Sequence, residues 1–322
     1  NPMEALAEYG SDALRMGLIA SRTAGQNQAF STSKVVAGRN FANKLWNMAR
    51  FIEGKLPEDY VMTPPNPETS ADHWIIRELL AASDLVAKHV ENYRFSEAAE
   101  VAYHSIWSSL ADWYIEASKK QVNNDVLAWA LDTSLRIAHP FAPFVTETIW
   151  QTLPWYGEGD VLIRASWPEA IAFSEDKAAA FDSLKNLITE VRFVMSELPG
   201  NDRHPLLVRA DDALIQDNAE LIMQLAKVES VSAVEQPKGL RVAVSDRDAW
   251  LDIDTKTLEE HETNLEVRLA ETHSAIEALT ARLSNPSYIE KAPSHLVEET
   301  KRDLEEKQAL VERLQQELEV IR

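Results

Sequence analysis

The segment GRNFANKLWNMARFI, from Gly38 to Ile52, combines an apolar stripe with a polar stripe at helical spacing. At about 100° per residue, one side of the helix collects the apolar residues Phe41, Leu45, Met48 and Ile52. The opposite side collects Arg39, Asn43, Trp46 and Arg50. The pattern predicts an amphipathic helix whose apolar face is core and whose other face meets solvent or a ligand.

The surrounding sequence is free of negative charge. Between Asp12 and Glu53 there is no Asp or Glu, although the chain has 52 acidic residues among 322 and a net charge of −20. The cations inside this stretch are Arg15, Arg22, Lys34, Arg39, Lys44 and Arg50. Because salt screens exposed charges beyond about 8–10 Å, a local cationic face can bind a polyanion on an acidic protein.

The polar stripe suits unpaired RNA. Arginine offers a fork for phosphate, asparagine contacts base edges, and an indole can stack on an unpaired base. A structural alternative is open at this point: Trp46 packs under a neighbouring helix, and the arginines pair with acids that follow residue 53.

Composition places the chain among globular proteins of two or three domains. The absence of cysteine excludes disulfides and thiolate chemistry and makes a cytoplasmic setting the default. No apolar run approaches the roughly 20 residues of a membrane helix. Because the first residue is Asn1, we interpret the sequence as a piece of a longer protein.

Helical spacing predicts a mainly α fold with three parts. The first, 1–168, is a helical bundle, with helices at 2–21, 32–52, 71–92, 96–122, 125–139 and 145–153. The second, 169–254, is a small α+β linker unit, with helices at 177–198 and 217–227 and strands at 206–209, 230–234, 240–244 and 250–253. The third, 255–322, is an antiparallel coiled-coil hairpin.

The hairpin is predicted from two heptad seams. The first seam is Leu265, Leu269, Thr272, Ile276, Leu279 and Leu283. The second is Val297, Thr300, Leu304, Lys307, Val311, Leu314, Leu318 and Ile321. Asn285-Pro286 stops the first helix, and the matched arm lengths favour pairing within the chain over an intermolecular coiled coil.

No motif in the sequence indicates catalysis or a metal. The histidines His73, His89, His104 and His139 lie on different predicted helices, and none has a HExxH spacing. Phosphate loops, nucleophile elbows and dinucleotide fingerprints are missing, and STSK at 31–34 lacks the glycines of a phosphate loop. The residues therefore predict a binding module without an active site or a metal site.

Four stretches resemble class I aminoacyl-tRNA synthetases. YGSDALRMGLIASRTAGQNQAFS…GRNFANKLWNMARF resembles the start of their anticodon-binding domain, and RNFANKLWN is similar to the valyl form. FSEAAEVAYHSIWSSLADWYIEASK and LRIAHPFAPFVTETIWQTLP resemble later helices of that domain. LSNPSYIEKAPSHLVEETKRDLEEKQALVERL resembles the tRNA-binding hairpin of valyl-tRNA synthetases of bacterial type.

The resemblance implies the C-terminal portion of a valine–tRNA ligase, with its catalytic and editing domains upstream. ATP and Mg²⁺ would act in that catalytic domain, and no cofactor is expected in this piece. HIGH and KMSKS do not occur, so the piece alone should be inactive. The implied partners are valine tRNA and the upstream domains, without a membrane; a cytoplasmic monomer is expected.

The expected tRNA contacts combine the resemblance with the cationic stretch. On the bundle they are Arg22, Lys34, Arg39, Asn43, Lys44, Trp46 and Arg50. On the hairpin they are Arg268, Arg282, Lys291, Lys301 and Arg302. Two alternatives stay open: a helical scaffold with a coiled-coil protein-interaction module and no RNA role, and the isoleucyl or leucyl relative, which the terminal hairpin disfavours.

Overall fold

The computed structural model describes residues 2–20, 30–157, 159–200, 202–236, 238–242 and 247–321. It is mainly helical with a small four-stranded sheet, which confirms the predicted fold class. The chain forms two compact units, Asn1–Asp182 and Ser183–Arg322. The finer division into 1–168, 169–254 and 255–322 stays a prediction.

Helices build the first unit. They are α1 (Pro2–Tyr9), α2 (Ser11–Ile19), α3 (Thr32–Glu53), α4 (Ser70–Glu91), α5 (Phe95–His104), α6 (Ile115–Ser118), α7 (Asn124–Ala138) and α8 (Pro143–Trp150). A π-helix, Ser105–Tyr114, joins α5 to α6, and a 3-10 turn, Leu162–Arg164, follows α8. Helix α9 (Glu175–Glu197) contains the boundary between the two units.

Helix α7 is the centre of this bundle. Nearly all of its residues are buried, including small and polar ones such as Ala130, Thr133 and Ser134. A helix that is buried on every side must be surrounded by other helices, and small side chains let those neighbours approach. The side chain of Asn123 caps α7 by accepting from the backbone N–H of Val126 at 3.2 Å.

Helix α4 begins with a capping box that is tied into the core. The Thr69 hydroxyl accepts from the Asp72 N–H, and the Asp72 carboxylate accepts from the Thr69 N–H. Asp72 is fully buried and also accepts from the Tyr114 hydroxyl at 2.6 Å. Burial raises the pKa of the Tyr114 phenol, which keeps its proton for this bond. The pair links the start of α4 to the end of the π-helix.

Two glycines set the contact between α2 and α3. A β-carbon on Gly17 would lie 2.7 Å from a side-chain atom of Val35, and one on Gly38 would lie 2.8 Å from the carbonyl oxygen of Ala13. Neither distance is sterically allowed, so the two helices touch through their backbones. This close approach buries one side of α3 and leaves the other side exposed.

Several predicted helices differ from the structure. The helix predicted at 2–21 is interrupted at Gly10, whose φ of 86° lies in the left-handed region that suits glycine. The helix predicted to reach residue 122 ends at Ser118, and its middle turns are a π-helix. Periodicity did not reveal either feature, because apolar spacing hardly changes across a single break or one wide turn.

The second unit contains a mixed sheet. Its strands are β1 (Leu206–Arg209), β2 (Val231–Val234), β3 (Leu240–Arg241) and β4 (Ala249–Leu251), in the order β2-β1-β4-β3. β1 pairs in parallel with β2, in the register Leu206 to Val231, and antiparallel with β4. The parallel connection carries two short helices, α10 (Ala213–Asp217) and α11 (Ala219–Ala226), where a single helix at 217–227 was predicted. The end of the strand predicted at 240–244 lies outside the described residues.

A helical hairpin completes the second unit. It consists of α12 (Thr255–Leu283), a short helix α13 (Pro286–Lys291) that was not predicted, and α14 (Ser294–Ile321). Leu265 packs with Leu314 and Leu318, so the helices run antiparallel, as predicted. The seam is buried at this base and again near the tip, at Val297 and Thr300, whereas Leu279 and Leu304 between them are half-buried and Lys307 is exposed.

The base of the hairpin is fixed to the end of α9. The Arg268 guanidinium pairs with Glu197, and the Arg313 guanidinium pairs with Glu190 at 2.7 Å. The Arg313 guanidinium carbon also lies 3.3 Å from the centre of the Phe193 ring. These contacts combine charge pairing with aromatic stacking, which arginine supports better than lysine.

Candidate nucleic-acid interface

Helix α3 presents the predicted stripe to solvent. Arg39, Asn43, Trp46 and Arg50 are all exposed, at the spacing i, i+4, i+7 and i+11. The apolar residues of the opposite side are between 0% and 4% exposed: Phe41, Leu45, Met48 and Ile52. The helical wheel therefore separated core from surface correctly. We call the four exposed residues the α3 stripe.

Among the described residues, no carboxylate forms an ion pair with either arginine of the α3 stripe. Arg39 lies with its guanidinium carbon 5.6 Å from the centre of the Tyr9 ring and donates to the Asn40 side chain at 3.4 Å. Arg50 makes no ion pair or side-chain hydrogen bond within the described part of the chain. Both charges are available to a ligand. A hydrogen bond with Glu8 raises the pKa of Tyr9, so the ring beside Arg39 stays neutral.

The indole of Trp46 is 38% exposed. Trp46 is therefore not fully buried under a neighbouring helix. An exposed ring next to two arginines can stack on an unpaired base, which is worth about 1–3 kcal/mol per base in known complexes.

The lysines of the predicted site have partners within the protein. Lys34 donates to the carbonyl oxygen of Ala20 at 3.2 Å. Lys44 pairs with Asp112 at 2.8 Å, and its ammonium lies 4.9 Å from the centre of the Trp107 ring. The charge of Lys44 is thus balanced by an acid that is distant in sequence. Arg22 falls outside the described residues.

The structure adds polar residues beside the α3 stripe that sequence reasoning missed. Asn40 and Asn47 are exposed and follow the same helical edge as Asn43. Their wheel positions could have revealed them, because they lie within about 100° of Arg39. Amide side chains present both donors and acceptors, which suits the edges of unpaired bases.

A half-exposed aromatic ring, Phe51, follows Arg50. The ammonium groups of Lys55 and Lys119 lie 5.6 Å and 6.0 Å from the centre of its ring. This cluster places two further cations beside the carboxyl end of α3. Only the fold could reveal it, because Lys119 comes from a part of the chain that is distant in sequence.

The predicted hairpin cations fall into two groups. Arg268 pairs with Glu197 at the hairpin base, where it holds the hairpin in place. Lys301 and Arg302 are exposed: Lys301 pairs with Glu298 at 2.9 Å, and Arg302 lies 3.8 Å from Glu306. Exposed pairs of this kind are worth at most about 1 kcal/mol, so they can exchange partners with a phosphate.

The tip of the hairpin is ordered by Tyr288. Its hydroxyl bonds with the Thr300 hydroxyl at 2.8 Å and donates to the carbonyl oxygen of Leu296 at 3.1 Å. The Arg282 guanidinium lies 4.9 Å from the centre of its ring. The side chain of Lys291 falls outside the described residues. Tyr288 thus connects the turn to α14 and places its ring beside Arg282, one of the predicted cations.

The described residues contain no group of three or more His, Asp and Glu side chains placed to hold a metal ion. No helix in the described part of the chain is both long and apolar enough to cross a membrane. The side chains of the α3 stripe offer charge pairing, hydrogen bonding and stacking.

Comparisons with known proteins match most of the chain. Residues 72–205 match the family described as the anticodon-binding domain of tRNA ligase, and residues 257–322 match the valyl tRNA synthetase tRNA binding arm. The chain belongs to the valyl-tRNA synthetase family. It carries the anticodon-binding domain and the tRNA-binding arm of these enzymes, which confirms the resemblance seen in the sequence.

Three individual proteins that are similar to this chain are valine–tRNA ligases. Over 98% of this chain, the valine–tRNA ligase of Carboxydothermus hydrogenoformans is 34% identical, and those of Geobacillus stearothermophilus and Thermotoga maritima are each 33% identical. The chain spans 38% of the length of the first and last of these relatives and 39% of the second.

A solved structure also matches in part. The ternary complex of the Agrobacterium radiobacter K84 LeuRS with tRNA and LeuAMS is similar over 53% of this chain and 21% of that chain, with 22% identity and a TM-score of 0.44. A likeness of this size carries no argument about function.

Proposed function

We propose that this chain is the tRNA-binding portion of a valine–tRNA ligase and that the α3 stripe contacts the anticodon loop. The parent enzyme would attach valine to its tRNA with ATP and Mg²⁺ in a catalytic domain outside this chain, in the cytoplasm and as a monomer. The observation that carries the proposal is the α3 stripe itself, in which Arg39 and Arg50 face solvent without an acidic partner among the described residues.

The roles divide by chemistry. Arg39 and Arg50 would bind phosphates and set the register of the RNA, because phosphate contacts position a complex without reading its sequence. Trp46 would stack on an unpaired anticodon base, while Asn43, with Asn40 and Asn47, would bond to base edges. Lys34, Lys44 and Arg22 would contact the flanking backbone. Because Lys44 must first leave Asp112, we expect it to contribute less than Arg39.

The hairpin would contact the outer corner of the tRNA through Arg282, Lys291, Lys301 and Arg302. Arg268 was predicted among these contacts; because it pairs with Glu197, we expect it to hold the hairpin base and to contribute less to tRNA binding than the other four. Deleting residues 255–322 should therefore weaken binding of valine tRNA while the α3 stripe still binds the anticodon arm. In the parent enzyme, formation of valyl-adenylate should be unaffected by this deletion.

Salt dependence tests the α3 stripe directly. Removing one phosphate-binding cation should reduce the slope of log affinity against log salt by about 0.7–0.9. We expect Arg39→Gln and Arg50→Gln each to produce this change for a valine tRNA transcript, measured by filter binding between low and moderate salt.

The matched control is Lys88→Gln, which removes a cation from α4, outside the α3 stripe. Its slope should equal that of the unchanged protein. The assignment fails if the arginine variants keep the original slope or if the control changes as much as they do. Equal binding of valine and isoleucine tRNA transcripts would instead favour a general RNA scaffold.

A further inference from the structure

A cavity of about 430 Å³ opens in the first unit at a place that the proposed function does not use. It lies between α2, the end of α7, the start of α8 and the segment that follows the 3-10 turn. Four of its lining residues carry the argument: Arg15, Arg136, His139 and Trp167. Its volume falls within the range of about 300–1,000 Å³ that small-molecule sites occupy. None of its lining residues belongs to the α3 stripe.

The two guanidinium groups in the cavity differ in availability. All three nitrogens of Arg136 already donate: to Asp132 at 2.7 Å, to the Ser166 carbonyl oxygen and to the Tyr156 hydroxyl. Arg15 donates a single bond, to the carbonyl oxygen of Pro140 at 3.1 Å. A guanidinium has five N–H donors, so Arg15 keeps donors and a full charge for an anionic ligand.

The two acids near the cavity, Asp12 and Glu147, form no ion pair with Arg15 among the described residues. The Asp12 carboxylate accepts from the backbone N–H groups of Phe144 and Val145, at the start of α8. The Glu147 carboxylate accepts from Gln151 and from the Leu162 N–H. Both carboxylates are thus committed to protein donors, and Arg15 pairs with neither.

Nε2 of His139 is a hydrogen-bond acceptor, because the hydrogen bond at Nδ1 fixes the position of the ring proton. The Thr146 hydroxyl donates to the carbonyl oxygen of Ala142 at 2.8 Å, so it must accept from Nδ1 of His139, which lies 2.8 Å away. The proton therefore sits on Nδ1, and Nε2 carries a lone pair with no partner among the described residues. Burial lowers the pKa of the imidazole, which keeps it in this neutral form near pH 7.

The rim of the cavity is apolar and exposed. The indole of Trp167 is 37% exposed, and Ile163 is 77% exposed. A flat exposed indole beside a cation and a directional acceptor is a combination that suits a heteroaromatic base carrying a phosphate. A purely apolar ligand would leave the Arg15 charge and the His139 lone pair without partners.

We infer that the cavity binds one nucleotide whose base is adenine or cytosine. The phosphate pairs with Arg15, the base stacks on Trp167, and the exocyclic amino group donates to Nε2 of His139. Uracil and hypoxanthine carry a carbonyl oxygen at the corresponding position, which would face the lone pair and be repelled. The source is either an unstacked nucleotide of the bound tRNA, in which case the inference rests on the proposed function, or a free mononucleotide.

Titration of the protein with mononucleotides tests the cavity. We expect AMP to bind at least about tenfold more tightly than IMP, and CMP than UMP. In each comparison the two nucleotides differ by one hydrogen bond to Nε2 of His139. Arg15→Gln should weaken AMP about tenfold or more but leave adenosine unchanged. His139→Phe should abolish the preference for AMP over IMP, and Trp167→Ala should weaken all four nucleotides.

Arg164→Gln is the matched control, because it removes an exposed cation from the adjacent 3-10 turn that does not line the cavity. Circular dichroism of each variant separates weakened binding from unfolding. Equal affinity for AMP and IMP, no effect of Arg15→Gln, or no binding of any mononucleotide at millimolar concentration would overturn the inference.

Competition distinguishes the two sources of the nucleotide. If valine tRNA displaces AMP from the protein, the cavity takes a nucleotide of the tRNA; if both bind together, it takes a free nucleotide. Repeating the competition with Arg39→Gln and Arg50→Gln separates the two proposals. If these variants bind tRNA more weakly but still bind AMP, the cavity proposal and the α3 stripe proposal are supported independently. If they bind tRNA normally but bind no AMP, the cavity proposal alone is refuted.

Discussion

Local spacing predicted well which residues of α3 are buried and which are exposed. Phe41 and Trp46 were separated correctly because a helical wheel depends only on neighbours within the helix. The partner of Lys44 could not be predicted in this way, because Asp112 reaches it from a helix 68 residues away. Arg268 shows the same limit, since a pattern of charges cannot indicate that Glu197 lies opposite.

His261 is a single residue whose protonation should affect stability. It is 1% exposed, and neither ring nitrogen has a hydrogen-bond partner within the described residues. Burial lowers its pKa, so the unfolded chain binds the proton more tightly than the folded one. The free energy of unfolding should be fully retained above about pH 6.5 and fall below it, by up to about 1.4 kcal/mol per pH unit.

Urea unfolding followed by circular dichroism between pH 8 and pH 5.5 measures this dependence. His261→Leu should remove part of the slope, whereas His273→Gln, which changes an exposed histidine of the same helix, should keep it. Burial raises the pKa of Glu317, which contributes a slope of opposite sign in every variant and cancels in the comparison. Identical slopes for the two variants would show that His261 is not buried as a neutral ring.

At the scale of elements, the sequence predicted α3 and the hairpin helices within one or two residues, but not the break at Gly10 or the π-helix. The strand β1 was predicted with its observed bounds, because a short apolar run between turn residues is a local signal. The short helix α13 was missed because its six residues are too few to show a period. Elements longer than three turns were thus predictable, and their interruptions were not.

The contact between α9 and the hairpin is an element-scale interaction with a measurable energy. Arg313 and Glu190 are both partly buried, and the Arg313 guanidinium also bonds with Glu317 and stacks on Phe193. A double-mutant cycle with Arg313→Met and Glu190→Gln should give a coupling energy of about 1–2 kcal/mol. Hydrogen exchange of α14 amides measures it.

The exposed pair Lys301–Glu298 provides the control for this cycle. Its side chains are more exposed than those of the Arg313 pair, so the coupling energy from the corresponding cycle should stay below about 1 kcal/mol. Equal coupling energies in the two cycles would mean that α9 does not anchor the hairpin through Arg313.

At the scale of the whole molecule, the first unit includes the start of α9. Phe181 is fully buried and packs on Trp74, with ring centres 5.0 Å apart. The Trp74 indole N–H donates to Asp182 at 2.9 Å, and Arg77 pairs with the same carboxylate at 2.6 Å. A fragment that ends at residue 168, the boundary predicted from sequence, would leave this surface uncovered.

We therefore expect fragment 1–198 to unfold at a higher temperature than fragment 1–168. The missing Phe181 alone should cost about 3–5 kcal/mol, as for other buried phenylalanines replaced by alanine. Fragment 1–198 with Phe181→Ala is the matched control and should account for most of the difference in thermal unfolding. Equal melting temperatures for 1–168 and 1–198 would place the boundary where the sequence predicted it.

The close backbone approach that Gly17 and Gly38 allow has a consequence for how this surface can change over time. The packing on the buried side of α3 sets the direction in which Arg39 points. A single methyl group added at Gly17 or Gly38 would push α3 away from α2 and reorient the whole α3 stripe. Under the proposed function, a change in preference among RNAs would not have to begin in the α3 stripe. It could begin at a buried glycine, with every side chain of the stripe unchanged.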